Sequence, residues 1–134
     1  MTLVDTNILV DILANNPAWM IWSAERLEER SRLGALVIND VIYAEVSIGF
    51  ETEAALNEKL GVFGLTRERI PTSALFLAGK AHRHYRASGG IRTGVLPDFL
   101  IGAHAQVAGI PILTRDVRRY RTYFPDVRLI TPAD

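Results

Sequence analysis

Thr2-Leu3-Val4-Asp5-Thr6-Asn7-Ile8-Leu9 decides how the rest of the chain is read. The apolar Thr2-Leu3-Val4 run is too short for a helix, and Asp5-Thr6-Asn7 after it are residue types that begin one. Ile8, Leu9, Ile12 and Leu13 then recur at helical spacing. The stretch predicts a buried strand feeding directly into a helix, with Asp5 at the junction. Leu36-Val37-Ile38 repeats the pattern, with Asn39-Asp40 capping a helix that carries Ile42, Glu45, Val46 and Gly49. A third strand, Ile112-Leu113-Thr114, has Arg115-Asp116 at its carboxyl end and follows a helix running from Pro97-Asp98 through Val107. Between these lie a charged helix with Trp19, Trp22 and Leu27 ending near Gly34, a helix over 51–63, a short strand from Leu65 to Ile70 and a helix from Pro71 to about Ser88. Val127 to Ile130 forms a last strand. Strands alternating with long helices require crossover connections. The expected fold is therefore a three-layer α/β/α sandwich around a mainly parallel sheet.

The chain has 134 residues, no cysteine and 49% hydrophobic residues. That is the length of one domain, taken as residues 1–134, and enough to bury a core without staples. Disulfides, thiolate zinc sites and a cysteine nucleophile are excluded. Apolar runs such as Leu36–Ile38 fall far short of the roughly 18 residues a membrane helix needs, and the first residues lack the basic stretch of a signal peptide. The expectation is a soluble cytoplasmic protein with no membrane contact. Net charge is zero and the pI is about 6.8. Residues 1–79 nevertheless carry six basic and eleven acidic side chains, whereas residues 80–134 carry nine basic and four acidic. Thirteen of the fifteen basic residues are arginine, the type suited to bidentate contact with phosphate. A basic half on a neutral chain points to a local anionic partner, or to salt bridges with the acidic half.

In open parallel sheets, ligands collect beyond the carboxyl ends of the strands. Asp5 and Asp116 should share that rim, while Asp98 opens one helix and Glu45 lies among apolar residues in another. Each has a plainer reading: Asp5 and Asp98 as helix-start acids, Asp116 as a turn residue, Glu45 as the edge of an amphipathic helix. Were the four to meet at about 5 Å, each pair would repel by roughly 3 kcal/mol at an effective dielectric near 20. Such a cluster calls for protonation or a cation, and its hard oxygen donors select Mg²⁺ or Mn²⁺. Phosphodiester hydrolysis by a metal-activated water is the natural chemistry.

Val4-Asp5-Thr6-Asn7-Ile8-Leu9, Val41-Ile42-Tyr43-Ala44-Glu45-Val46, the run from Pro97 through Asp98 and His104 to Ala105, and Ile112-Leu113-Thr114-Arg115-Asp116 then occur in order, followed by Tyr120 and Phe124-Pro125. With these neighbours the chain resembles a PIN-domain ribonuclease, most closely the VapC toxins of bacterial toxin–antitoxin pairs. The resemblance spans nearly the whole chain, though residues 51–95 match only in helical pattern. It implies a Mg²⁺- or Mn²⁺-dependent endoribonuclease in which Asp5, Glu45, Asp98 and Asp116 form the catalytic site. Asp5, Asp98 and Asp116 would be metal ligands, and Glu45 either a ligand or the group orienting the attacking water. Thr6, Asn7 and Thr114 would hold carboxylates or water in place. It further implies a VapB-type antitoxin partner laying a peptide over the site, and a homodimer formed by the early helices, for which an exposed Trp19/Trp22 face would serve.

Arg115, Arg118, Arg119 and Arg121 flank the Asp116 rim and are candidates for RNA phosphate, as is Arg92, with Thr93, on a glycine-flanked loop. Asp11, four residues after Asn7, either shares its helix face close to the site or, as the favoured reading, is an exposed helix acid. His82 and His84 lie on opposite sides of a helix and read as surface residues, while His104 falls about 120° around its helix from Asp98. The alternative from another class is a non-catalytic RNA- or protein-binding module with the same fold. A receiver-like phosphoacceptor domain is disfavoured, because no lysine lies near the late strand.

Overall fold

A computed structural model describes residues 1–92 and 94–132; Thr93, named above beside Arg92, lies outside the described residues. The chain opens with strand β1 (Thr2–Val4) and helix α1 (Thr6–Leu13), followed by α2 (Met20–Leu33), β2 (Leu36–Ile38) and α3 (Asp40–Ser47). Helix α4 (Glu53–Val62), strand β3 (Leu65–Arg67) and helix α5 (Thr72–Ala87) make up the middle. Then come α6 (Leu96–Ala108), β4 (Ile112–Leu113), α7 (Arg118–Tyr123) and β5 (Leu129–Ile130). The strands form one five-stranded sheet in the order β3-β2-β1-β4-β5, with every neighbouring pair parallel. Helices flank it, giving the three-layer α/β/α arrangement that the alternation of elements requires.

Continuous apolar strands mark burial on both faces, and Leu3, Val4, Val37, Ile38, Ile112 and Leu113 are wholly inaccessible to solvent. The edge strand β3 differs. Its Thr66 and Arg67 are exposed, and it ends at Arg67 rather than Ile70. Charge is tolerated there because an edge meets water on one side. Arg67 turns outward to pair with Asp40 and lie over the Tyr43 ring. Helix α1 packs on α2 and α3, α5 packs on α6, and α6 also touches α3 and α7.

Helix α7 has no counterpart among the expected elements, because its three arginines, Arg118, Arg119 and Arg121, obscure its buried side. That side is aromatic: Tyr120 and Phe124 are buried, and Tyr123 meets Phe99 edge-on at 5.1 Å. Phe124 seats directly on Gly102 of α6, where a Cβ would stand 2.3 Å from Phe124 Cδ2. Gly109 ends α6 in the left-handed conformation at φ 67°, which glycine adopts without steric cost.

The chain leaves β1 for β2 and β3 on one side, then returns to build β4 and β5 on the other. This reversal opens a crevice beyond the carboxyl ends of β1 and β4. The Asp5 amide donates to the Leu113 carbonyl at 2.9 Å, so the segments after both strands are locked side by side. Among the described residues no helix is long and apolar enough to cross a membrane.

Candidate active site

Asp5 is the most constrained acid in the crevice. It caps α1, with its Oδ1 accepting from the Thr6 amide at 2.7 Å. Its Oδ2 accepts from the Thr114 hydroxyl at 2.8 Å and the Tyr120 hydroxyl at 2.9 Å, with the Asn7 amide at 3.4 Å. Only 6% of Asp5 is exposed. Burial pushes its carboxyl up from the ordinary 3.8 to about 6, although the bonds from Thr114, Tyr120 and Thr6 favour the ionised form. The nearby Asp98 charge adds to the rise. Asn7 also donates to Thr114 Oγ1 at 3.1 Å and accepts from the Arg115 amide, tying α1 to the segment after β4. Tyr120 was not among the candidate site residues. Its trace in the sequence is an aromatic set between Arg119 and Arg121, quoted above only as part of the resemblance.

The other three acids come from three further elements and line the same cavity, of about 350 Å³, with Asp5, Thr6 and Asn7. Glu45, half-buried on α3, accepts from the Thr6 hydroxyl at 2.6 Å. Asp98 stands in the first turn of α6, where the helix dipole favours an anion. Burial raises its carboxyl above the ordinary range, Arg119 pulls it back, and the Asp116 and Glu45 charges push it up again. Asp116 sits at the rim, with its side chain 47% exposed and loosely paired with Arg118 at 3.5 Å. Tyr120, enclosed and facing Asp5 and Asp98, is held well above the usual phenol value, first by burial and then by those charges.

The donor set suits a hard divalent cation, since it offers carboxylate and hydroxyl oxygens and no sulfur. Among the described residues no group of three or more acidic or imidazole side chains meets the spacing of a formed metal cage. The acids are nevertheless near enough to act on one another, since the Asp98 charge raises Asp5 and the Asp116 and Glu45 charges raise Asp98. One cation is already present: Arg119 Nη1 lies 2.8 Å from Asp98 Oδ2.

The arginines separate by role. Arg115 points inward, gripping Asp11 with Nε at 2.6 Å and Nη2 at 2.7 Å, and its guanidinium stacks 5.0 Å from the Trp19 ring. Asp11 is thus not the exposed acid expected. It is 2% exposed and also accepts from the Ser23 hydroxyl at 2.8 Å. Arg92, Arg118 and Arg121 are exposed. Trp19 and Trp22 are half-buried, meeting edge-to-face at 6.1 Å, rather than forming a bare apolar face. His82 is half-buried against Phe99, and His84 is exposed beside Tyr123. His104 is buried away from the acids and meets Asn39, the cap of α3.

The chain is similar in structure to VapBC2 from Rickettsia felis bound to a DNA fragment from their promoter (TM-score 0.75, 20% identity, 98% of each chain covered). It is also similar to DNA-bound VapBC from Salmonella typhimurium (TM-score 0.69, 22% identity, 97% of this chain and 96% of that one). VapBC-1 from nontypeable Haemophilus influenzae matches with a TM-score of 0.71 at 17% identity, covering 97% and 96% of the two chains. At these identities the likeness is one of fold. No curated protein sequence matches. The PIN domain family matches residues 2–125, nearly the whole length, and its members are generally nucleases that use divalent metals. The chain belongs to the PIN domain family.

Proposed function

We propose that this protein is a Mg²⁺- or Mn²⁺-dependent endoribonuclease, acting in the cytoplasm as the toxin of a VapBC-type toxin–antitoxin module, with residues 1–134 as one nuclease domain. The observation that carries the reading is the convergence of Asp5, Glu45, Asp98 and Asp116 on one cavity at the sheet's reversal point. A bound divalent ion would supply charge neutralisation at the scissile phosphodiester and acidify a nearby water. The protein's own part is positioning. Thr114 and Tyr120 fix the Asp5 carboxylate, and Thr6 aims Glu45. Exposed Arg118, Arg121 and Arg92 are the candidates for contact with RNA phosphates, and a neutral chain lacks the charge for a general coat.

The antitoxin reading draws on the VapBC assemblies that share the fold and on a second, apolar groove of about 510 Å³. Lined by Val10, Leu13, Val46, Ile48 and Phe50, it also includes Glu45, so a segment seated there would reach the acids. The homodimer expected from the resemblance remains part of the proposal. Cleavage of a labelled RNA, followed while Mn²⁺ is titrated, tests the function. Cleavage should require the ion and fall at least a hundredfold in Asp98→Asn with the fold retained. The non-catalytic alternative draws on Arg119 already satisfying Asp98. RNA bound but left intact at every Mg²⁺ or Mn²⁺ concentration would favour it.

A further inference from the structure

Arg119 differs from every other arginine near the site. Arg115 is fully engaged by a bidentate carboxylate and an aromatic face. Arg118 is solvated, with its side chain 72% exposed. The Arg119 side chain is only 14% exposed, yet one nitrogen, Nη1, makes its ion pair with Asp98. Its Nε is buried with no hydrogen-bond partner among the described residues. The guanidinium rests 5.9 Å from the Tyr85 ring centroid. A five-donor cation held by one oxygen, with a buried N–H left over, is poised to exchange partners.

It is also where a second cation would matter. The guanidinium already occupies one of the carboxylate oxygens that the cavity's acids offer a cation. A divalent ion approaching Asp98 meets a positive charge already there, and the two cannot share Oδ2 without repulsion. Resting on the reading of these acids as a divalent-cation site, we propose that Arg119 is a built-in counter-cation of the cluster, held on Asp98 in the metal-free protein and exchanged off it when the ion enters, which frees its guanidinium to meet an RNA phosphate. Arg119 is a positioning residue in the first state and a substrate contact in the second. Arginine suits both, because carboxylate and phosphate present the same oxygen geometry to its planar fork.

The exchange predicts opposite movements of two quantities. With Mn²⁺ alone as the probe, Arg119→Gln should bind the ion about tenfold tighter than the parent, within the usual span of coupling between competing ligands. At saturating Mn²⁺ the same variant should cleave RNA more slowly by about tenfold, having lost the phosphate contact. Arg119→Lys, which keeps the charge but not the planar fork, should bind the ion like the parent and cleave RNA at a rate between those of the parent and Arg119→Gln. A merely structural role would move affinity and turnover together. Independently of any variant, Mg²⁺ added to the parent should shift the Arg119 Nε–H NMR resonance while leaving fixed that of Arg30, whose Nε donates to Thr2 at the opposite end of β1. Parent binding that depends on Asp98, with Arg119→Gln no tighter and the Arg119 resonance unmoved, would overturn the exchange and leave the metal reading standing. If the parent binds no Mn²⁺ at all, both fall.

Discussion

Asp5 is a carboxylate in a place where a neutral group would favour folding. Its carboxyl is raised from 3.8 unfolded to about 6 folded, so between those values the native state holds a proton the unfolded chain has released. Stability contributed by this group is therefore full below pH 4 and lost as pH rises through 6, by roughly 3 kcal/mol. His104, whose imidazole is pushed down by burial, works the other way and loses stability as pH falls below about 6.5. Comparing the parent with Asp5→Asn cancels the histidine contribution. Urea unfolding without metal should show Asp5→Asn more stable by about 2 kcal/mol at pH 7.5 and the difference vanishing near pH 4. Tyr120→Phe removes a bond that favours ionised Asp5, so the Asp5 midpoint should rise above 6, read by carboxyl NMR titration. The four acids were legible because each follows a strand end or sits in a helix beside recognisable neighbours. Their partners were not: Asp11 and Arg115 are 104 residues apart, and nothing local to either announces the other.

At the scale of elements, two ties carry the site. The first joins α1 to the segment after β4 through Asp11 and Arg115. Arg115→Ala would leave a buried carboxylate without its cation, at a cost of about 2–3 kcal/mol in denaturant unfolding, somewhat under the usual range of about 3–5 because the arginine is partly solvated. The second is the start of α3, where Asn39 Oδ1 accepts from the Ile42 amide at 3.0 Å. That bond fixes the Asn39 amide, so its Nδ2 must donate to His104 Nδ1, and the ring is neutral with its proton on Nε2. Asn39→Ala should cost about 1–2 kcal/mol and loosen the helix that presents Glu45. The Asn39 cap was readable from sequence, as were the boundaries of most helices to within a residue or two. Helix α7 was not, because its periodicity spans six residues and its exposed face is crowded with arginine.

Over the whole molecule, the parallel sheet and its layers follow from alternating short apolar runs and long helices, which leave few ways to connect the chain. The order of the strands is set by packing between distant segments and could not be read locally. The balance of charge has a measurable outcome: removing Arg118 should weaken RNA binding and reduce the slope of log affinity against log salt by about 1. Mn²⁺ at a hundred times its dissociation constant should stabilise the fold by about 2.7 kcal/mol, and Asp98→Asn should abolish the gain in thermal unfolding. Gly102 bears on all of this. It lies one turn beyond Asp98 on the same face of α6, and Phe124, at the end of α7, fills the space its missing side chain leaves. The thickness of a single residue therefore sets the gap between the wall that bears Asp98 and the wall that bears Arg119 and Tyr120. A methyl group there acts as a wedge, and Gly102→Ala should blunt catalysis from a position that touches neither ion nor RNA.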